Sequence, residues 1–207
     1  MNSIGNLYIV SAPSGAGKTS LTTTLVNQID HIKISVSYTT RPARPNEKSD
    51  IDYHFIKETD FQRMLEESAF LEHAEVYGCY YGTEKNWVQK QLKQGIDVLL
   101  EIDWQGAFQI KRLFSSAILI FILPPSMKAL QNRLKKRSQD APKTIAQRMH
   151  VAKVEMMYHR KFDYLIINDD FDTALMDLTH IVQAERLRSQ RQQKIHANLL
   201  ENLLETH

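Results

Sequence analysis

The chain has 207 residues, of which 43% are hydrophobic and 24% are charged, and its formal net charge at pH 7 is +2. A chain of this length and composition can bury a core, and the small net charge gives no reason to expect a nucleic-acid or membrane-surface partner. Cys79 is the only cysteine, which excludes an internal disulfide and a thiolate metal cage. The polar start and the absence of a run of about 20 apolar residues predict no signal peptide or membrane span, and therefore a cytoplasmic location.

A glycine-rich segment follows the first apolar run and leads into a helical stretch. It reads Ala12, Pro13, Ser14, Gly15, Ala16, Gly17, Lys18 and Thr19. In this context backbone N–H groups turn onto phosphate oxygens, the lysine reaches the outer phosphates and the hydroxyl of Thr19 ligates Mg²⁺. The segment therefore predicts a site for a nucleoside triphosphate. Ala12 stands where the general motif has glycine, which is acceptable only if this residue avoids a positive φ.

Short apolar runs recur along the chain, with helical segments between several of them. They are mostly continuous rather than alternating, and they cover residues 7–10, 34–36, 98–102, 117–123 and 164–167. Such runs predict strands that are buried on both faces. We therefore expect an α/β fold, with a parallel sheet of the P-loop NTPase type flanked by helices.

Two polar segments interrupt this pattern and are interpreted as insertions. Residues 37–87 are rich in Arg, Tyr, Asp and Glu, and residues 126–150 are dense in Arg and Lys. The predicted core consists of residues 1–36, 89–125 and 151–207, and the predicted insertions are residues 37–88 and 126–150.

The last part of the chain is predicted to be helical, with Asp172 as an N-cap. Four leucines recur there at helical spacing: Leu199, Leu200, Leu203 and Leu204. They predict contacts within the core or with another helix, and they leave open a homo-oligomer formed through this C-terminal helix.

Arg41 and Arg44 lie three residues apart, next to Pro42 and Pro45. The prolines favour extended or turn backbone, so both guanidinium groups can converge on one anion. The pattern predicts a second phosphate site, separate from the glycine-rich loop, with a solvated loop as the alternative.

Three segments downstream place polar side chains beside aromatic or apolar residues, at positions 52–55, 70–74 and 80–83. A carboxylate can accept hydrogen bonds from the ring N–H and the exocyclic amine of guanine, and hydroxyls can donate to its carbonyl oxygen. Glu72 with Ser37 and Thr83 would supply that set. The alternative is that these side chains are ordinary packing and surface groups.

The apolar run that begins at residue 98 ends with two carboxylates on one side of the pleat, Glu101 and Asp103. In a protein with a phosphate-binding loop this edge faces the ligand crevice, where carboxylates order metal-bound water or substrate hydroxyls. A surface acid at the end of a strand is the alternative.

Arg133, Arg137 and Arg148 lie on a predicted pair of helices around a turn at residues 141–142. Arginines that close over a transferring phosphoryl group would neutralise its charge and exclude water. Taken alone, the cluster is also compatible with a solvated helix face or a weak RNA-binding patch.

Taken in order, these segments resemble the guanylate kinase family over nearly the whole chain. Residues 12–19 are similar to its ATP-binding loop, Thr39-Thr40-Arg41 to its acceptor segment, residues 101–106 to its acidic strand end and residues 168–170 to its segment beside the adenine. The resemblance implies transfer of the γ-phosphoryl group of ATP to GMP, and also to dGMP, with Mg²⁺. Residues 37–88 would then bind GMP, and residues 126–150 would form a lid.

The resemblance also implies roles for single residues. The acceptor site would contain Ser37, Arg41, Arg44, Tyr53, Glu72, Tyr81, Gly82, Thr83, Glu101 and Asp103. The donor site would contain residues 12–19 with Arg137 and Asn168. Charge at the transferring group would be balanced by Lys18, Arg41, Arg133, Arg137 and Arg148, without a covalent intermediate.

The chain departs from the family pattern at three places. Glu101 stands where many members have Asp, Cys79 stands where Asn is frequent, and the lid segment Ser138 to Lys143 lacks a common Gly and acidic run. The alternative functions are a non-catalytic phosphopeptide-binding domain of the same fold, and a kinase for another phosphorylated sugar or nucleotide. RNA binding through residues 133–137 or 186–194 is a further alternative.

Overall fold

The computed structural model describes residues 5–76, 78–137 and 142–205, apart from the side chains of residues 137, 142 and 143. Its strands are β1 (Leu7–Ser11), β2 (Ile32–Ile34), β3 (Tyr38–Thr39), β4 (His54–Phe55), β5 (Phe70–Val76), β6 (Cys79–Glu84), β7 (Asp97–Glu101), β8 (Ile118–Leu123) and β9 (Tyr164–Ile167). Its helices are α1 (Lys18–Gln28), α2 (Glu58–Glu66), α3 (Lys85–Lys93), α4 (Trp104–Leu113), α5 (Met127–Arg137), α6 (Pro142–Met157), α7 (Phe171–Arg186), α8 (Ser189–Ile195) and α9 (Ala197–Leu204). A 3₁₀ turn covers Tyr158–Lys161.

The central sheet has five strands in the order β2-β7-β1-β8-β9, and every pairing is parallel. The predicted α/β fold with a parallel sheet is confirmed. All carboxyl ends of the strands lie at one edge, which brings the loops after β1, β7 and β9 together. The second strand runs over Ile32–Ile34 rather than the predicted residues 34–36, because its ladder with β7 ends at Ile34, apart from one bond from Ser35 N to Leu99 O.

Both faces of the central sheet are covered, which explains why its strands are continuously apolar. Tyr8 and Val10 point into a core beneath α1 and α7. Leu7 and Ile9 point to the opposite side, into a core beneath α3 and α4.

The second sheet, β4-β3-β6-β5, lies within the predicted insertion at residues 37–88. The β3–β4 pairing is parallel, and the other two pairings are antiparallel. The side-chain amide of Gln109 on α4 joins this sheet to the core. It donates to His73 O at 2.8 Å and accepts from His73 N at 3.3 Å, at the free edge of β5.

Helices α5 and α6 cover most of the segment predicted to form a lid, and a small apolar cluster joins them. Its buried members are Leu130, Leu134, Ile145 and Ala152. The predicted lid boundary at residue 150 falls inside α6, which continues to Met157. Just beyond α6, Tyr158 stacks on Trp104 of α4 with 3.7 Å between ring centroids. The remaining domain boundaries stay predictions.

The predicted N-cap of the C-terminal helices is wrong by two residues. Asp170, not Asp172, caps α7, because its carboxylate accepts from Thr173 N at 2.9 Å. Helix α7 packs on the sheet, whereas α9 leaves Leu199, Leu203 and Leu204 more than half exposed. Within the described part of the chain, every helix is too short or too polar to cross a membrane.

Candidate active site

The glycine-rich loop lies at the carboxyl end of β1 and leads directly into α1. Gly15 has φ 90° and Gly17 has φ 100°, a conformation that strains residues with a Cβ atom. Ala12 is not among the described residues with positive φ. An alanine is therefore acceptable where the general motif has glycine. A loop of this shape before a helix N-terminus directs N–H groups at an anion.

The Ala16 carbonyl on the outer side of this loop is held by two side chains. Asn168 Nδ2 donates to Ala16 O at 2.7 Å, and Arg133 Nη1 donates to the same oxygen at 3.3 Å. Arg133 Nη2 also donates to Asn168 O at 2.8 Å. Asn168 is 4% exposed, and a Cβ atom on Gly17 would collide with its amide. Both residues support the loop, and their predicted roles at the adenine and at the transferring phosphate stay predictions.

Glu101 lies beside the start of α1, where a metal was predicted. Thr19 Oγ1 donates to Glu101 Oε2 at 2.9 Å, and Thr22 donates to the other carboxylate oxygen. No group of three or more His, Cys, Asp or Glu residues among the described residues could hold a metal by itself. A hydroxyl and a carboxylate are ligands that suit Mg²⁺ when nucleotide phosphates and water supply the rest.

Three of the predicted acceptor-phosphate residues lie close together. The Arg41 guanidinium lies 5.4 Å from the centroid of the Tyr53 ring, and the ring centroids of Tyr53 and Tyr81 are 5.9 Å apart. Burial raises the pKa of the Tyr53 phenol to about 12, so this group remains a hydrogen-bond donor at neutral pH.

Sequence reasoning missed Glu47, which holds both arginines. Its carboxylate accepts two hydrogen bonds from Arg41, both at 2.9 Å, and lies 3.6 Å from Arg44. The Arg41 side chain is 15% exposed, whereas that of Arg44 is 51% exposed. The signal in the sequence that could have identified Glu47 was the presence of an acidic residue within a short basic loop.

The three predicted guanine-binding residues stand in one row across the second sheet. Glu72 on β5 faces Thr83 on β6, and Thr83 Oγ1 donates to Glu72 Oε1 at 2.6 Å. Tyr38 pairs with Gly82, so one further step of that register sets Ser37 opposite Thr83. The row presents a carboxylate and two hydroxyls on one face.

Burial raises the pKa of Glu72 to about 7. The nearby charge of Asp103 acts in the same direction, whereas the hydrogen bond from Thr83 opposes both effects. Asp103 itself caps α4, accepting from Gly106 N at 3.0 Å and from Gln105 Nε2 at 2.9 Å. Sequence reasoning missed Gly106, where a Cβ atom would collide with Glu72 Oε2.

Charged residues of both signs lie on α5 and α6, the helices of the predicted lid. Arg148 is half-buried on α6, and the side chain of Arg137 lies outside the described residues. Lys18 is half-buried at the start of α1. Burial raises the pKa of Glu155 on α6 to about 7, and the charge of Lys18 opposes this shift. Sequence reasoning did not single out Glu155.

Comparisons with known proteins agree with this geometry. A family model described as guanylate kinase matches residues 4–185. The chain belongs to the guanylate kinase family. The guanylate kinase of Coxiella burnetii is 57% identical over 200 residues, which cover 97% of each chain. That of Saccharophagus degradans is 51% identical over 204 residues, covering 99% of this chain and 100% of the relative. A crystal structure of guanylate kinase from Anaplasma phagocytophilum is 32% identical, with a TM-score of 0.78, and covers 92% of this chain and 90% of that one.

Membership in the guanylate kinase family confirms the resemblance seen in the sequence. The structure shows the surroundings of two residues that depart from the family pattern, Glu101 and Cys79. Glu101 reaches both threonines at the start of α1, and Cys79 is a free, half-buried residue at the start of β6, opposite Val76. Of the altered lid segment, residues 138–141 lie outside the described chain.

Proposed function

We propose that this protein transfers the γ-phosphoryl group of ATP to GMP, and to dGMP, giving ADP and GDP in purine nucleotide metabolism. Membership in the guanylate kinase family supports this reaction. The position of Glu101 supports it independently. This carboxylate is hydrogen-bonded to Thr19 of the donor loop, and its charge adds to the burial and the neighbouring Tyr81 that raise the pKa of Tyr53 in the predicted acceptor site. Both observations support adjoining donor and acceptor phosphate sites, as direct transfer between two nucleotides requires.

The residues suit catalysis by positioning and charge neutralisation. Lys18 and the N–H groups of the loop would hold the donor phosphates, while Arg41 and Arg44 would hold the acceptor phosphate. Because that phosphate is already largely ionised near neutral pH, the transfer needs neither a strong general base nor a covalent intermediate. The row of Glu72, Thr83 and Ser37 would select guanine through its N–H and carbonyl groups.

Mg²⁺ is the metal that these residues fit. Thr19 would ligate it directly, with Glu101 beside it and the remaining ligands supplied by phosphate oxygens and water. When bound, the ion would neutralise charge that develops on the phosphate oxygens.

The decisive experiment measures ADP release from ATP with GMP, AMP, UMP or CMP as acceptor. We expect turnover with GMP far above that with the other three. Lys18→Met should lower kcat/KM for the GMP reaction by at least about a hundredfold, because it removes a charge from the donor phosphates. Lys90→Met, on the exposed side of α3, is the control. Equal rates with all four acceptors, or a fully active Lys18→Met protein, would contradict the proposal.

We propose further that copies of the chain associate through α9 in the cytoplasm. The exposed leucines of this helix support association, since such a face is costly in water. Sedimentation should show that the wild type is an oligomer and that Leu203→Glu dissociates it. A monomeric wild type would contradict the proposed association.

The proposed cytoplasmic location is tested by cell fractionation.

A further inference from the structure

Glu47 lies in the loop between β3 and β4, and the proposed reaction gives it no role. Its carboxylate accepts one hydrogen bond from Arg41 Nη1 and one from Arg41 Nη2, both at 2.9 Å. It also accepts from Arg44 N at 2.9 Å. The side chains of Arg41 and Glu47 are only 15% and 16% exposed. A largely buried, bidentate ion pair therefore holds an arginine that is expected to bind the acceptor phosphate.

This ion pair leaves one edge of the Arg41 guanidinium for another anion. A guanidinium carries five N–H donors in one plane. Glu47 takes two of them at the Nη1 and Nη2 end, and Pro42 O takes a third, from Nη1 at 2.7 Å. The other two lie side by side on Nε and Nη2 and donate to no carboxylate or carbonyl group of the described residues. Two parallel donors of this kind match two oxygens of a phosphate.

The surroundings of Arg41 set the direction of that edge. The backbone N–H of Arg41 donates at 3.2 Å to Thr39 Oγ1, and Thr39 is fully buried. The guanidinium lies 5.4 Å from the ring centroid of Tyr53 and 5.8 Å from that of Phe55. Because Tyr53 is itself predicted to bind the acceptor phosphate, the paired guanidinium lies beside that site. The two parallel hydrogen bonds to Glu47 then prevent it from turning away.

The charge of Glu47 and its hydrogen bonds would act on a bound phosphate in opposite directions. A carboxylate repels a phosphate, so its charge alone would weaken binding. Its hydrogen bonds instead hold a long side chain in one conformation, which lowers the entropy that phosphate binding costs. The neighbouring Arg44 side chain is 51% exposed, so water screens the repulsion, whereas the ordering of Arg41 does not depend on screening. Orientation should therefore be the larger effect.

We propose that Glu47 positions Arg41 for the acceptor phosphate and thereby sets the affinity for GMP. The inference rests on the proposed function, because it takes Arg41 as a ligand of the GMP phosphate. Glu47 is a positioning residue, since it acts through Arg41 rather than by touching the nucleotide.

The test is a calorimetric titration of wild type and Glu47→Gln with GMP and with guanosine, both without ATP. Glutamine keeps the size of the side chain but cannot accept from both Nη groups, because its amide nitrogen is a donor. We expect GMP to bind on the order of tenfold more weakly, and guanosine, which lacks the phosphate, to bind as it does to the wild type. The KM for GMP should rise similarly, while the KM for ATP should stay unchanged. Glu66→Gln, which removes an exposed charge from α2, should match the wild type.

Two further variants separate orientation from charge. Glu47→Asp keeps the charge but shortens the side chain, so it should also weaken GMP binding. In an Arg41→Lys background, which has no planar fork to orient, Glu47→Gln should cause no further loss. Unchanged or tighter GMP binding by folded Glu47 variants, checked by thermal unfolding, would overturn the inference, as would equal losses for GMP and guanosine. Failure of the wild type to phosphorylate GMP would instead overturn the proposed function, and the GMP titrations would still decide the role of Glu47.

Discussion

Glu72 illustrates how a single residue can serve binding at the expense of stability. It is 4% exposed, so its ionised form loses hydration and keeps only the hydrogen bond from Thr83 as compensation. Its pKa of about 7 follows from that burial. A guanine base would supply two further donors to this carboxylate, so the proposed ligand satisfies a group that the free protein leaves poorly satisfied.

Glu72→Gln is expected to stabilise the free protein at alkaline pH. Because the folded-state pKa is raised, the stability that protonated Glu72 contributes is complete below pH 4.5 and is lost as the pH rises through 7. At pH 8 the variant should unfold with a free energy up to about 3 kcal/mol above the wild type, and the difference should shrink steadily toward pH 4.5. Urea unfolding at several pH values measures it. Glu75→Gln, exposed on the same strand, should show no such trend, and a pH-independent difference would contradict the prediction.

Gly106→Ala is expected to weaken GMP binding without affecting ATP. The added Cβ atom would displace the Glu72 carboxylate from its place beside α4. Alanine also favours the helix by up to about 1 kcal/mol, so the fold should survive. We expect the KM for GMP to rise on the order of tenfold, the cost of one misplaced charged hydrogen bond. Steady-state kinetics measure it, with Arg112→Ala on the same helix as control. An unchanged KM for GMP would contradict the prediction, because it would mean that displacing the Glu72 carboxylate does not affect GMP binding.

The sequence predicted the glycine-rich loop and the pair of arginines, because each is a pattern of neighbouring residues. It predicted the row of guanine-binding residues because the chain matches the family in sequence order. Gly106 could not be found in this way. Its effect depends on a contact with Glu72, which only the packing of α4 against β5 brings near.

At the scale of elements, β5 is an edge strand whose free side is covered by one side chain. The Gln109 amide makes with His73 the pair of hydrogen bonds that a neighbouring strand would otherwise make. This contact fixes the position of the second sheet against α4, and therefore that of Glu72 against Asp103. The existence of the strands followed from the sequence, but this junction did not, because a glutamine on a helix carries no pattern of its own.

Gln109→Met should loosen this junction while keeping the volume of the side chain. Loss of two partly exposed hydrogen bonds should lower the free energy of unfolding by about 1 to 2 kcal/mol. The KM for GMP should rise, and ATP affinity should not change, since the glycine-rich loop lies elsewhere. Kinetics and urea unfolding check both effects, with Gln89→Met on α3 for comparison. A selective change in ATP affinity would contradict this account of the junction.

For the molecule as a whole, Asp97 ties both ends of the chain to the sheet. This fully buried carboxylate accepts from Asn6 N and Arg186 Nε, each at 2.7 Å, and forms an ion pair with Arg191 at 2.9 Å. The sequence showed only a basic run at residues 186–194, for which RNA binding was an alternative. Two of its arginines instead make internal ion pairs with an acid far away in sequence.

Asp97→Asn should destabilise the protein by about 3 kcal/mol, since two arginines lose their shared counter-charge in a largely buried place. Urea unfolding at neutral pH measures the loss. Asp60→Asn breaks the exposed pair with Arg63 and should cost less than about 1 kcal/mol. Similar losses in both variants would mean that the Asp97 network contributes no more than a surface pair.

The carbonyl of Ala16 has a wider consequence. A loop that turns its N–H groups toward an anion must turn carbonyl groups the other way, and those need donors of their own. Here one donor, Arg133, belongs to α5 in the predicted lid, and the other, Asn168, follows β9 in the core. Withdrawal of α5 would remove one of the two side-chain hydrogen bonds to this carbonyl. We therefore predict that any closing movement of α5 also orders the backbone of the anion site.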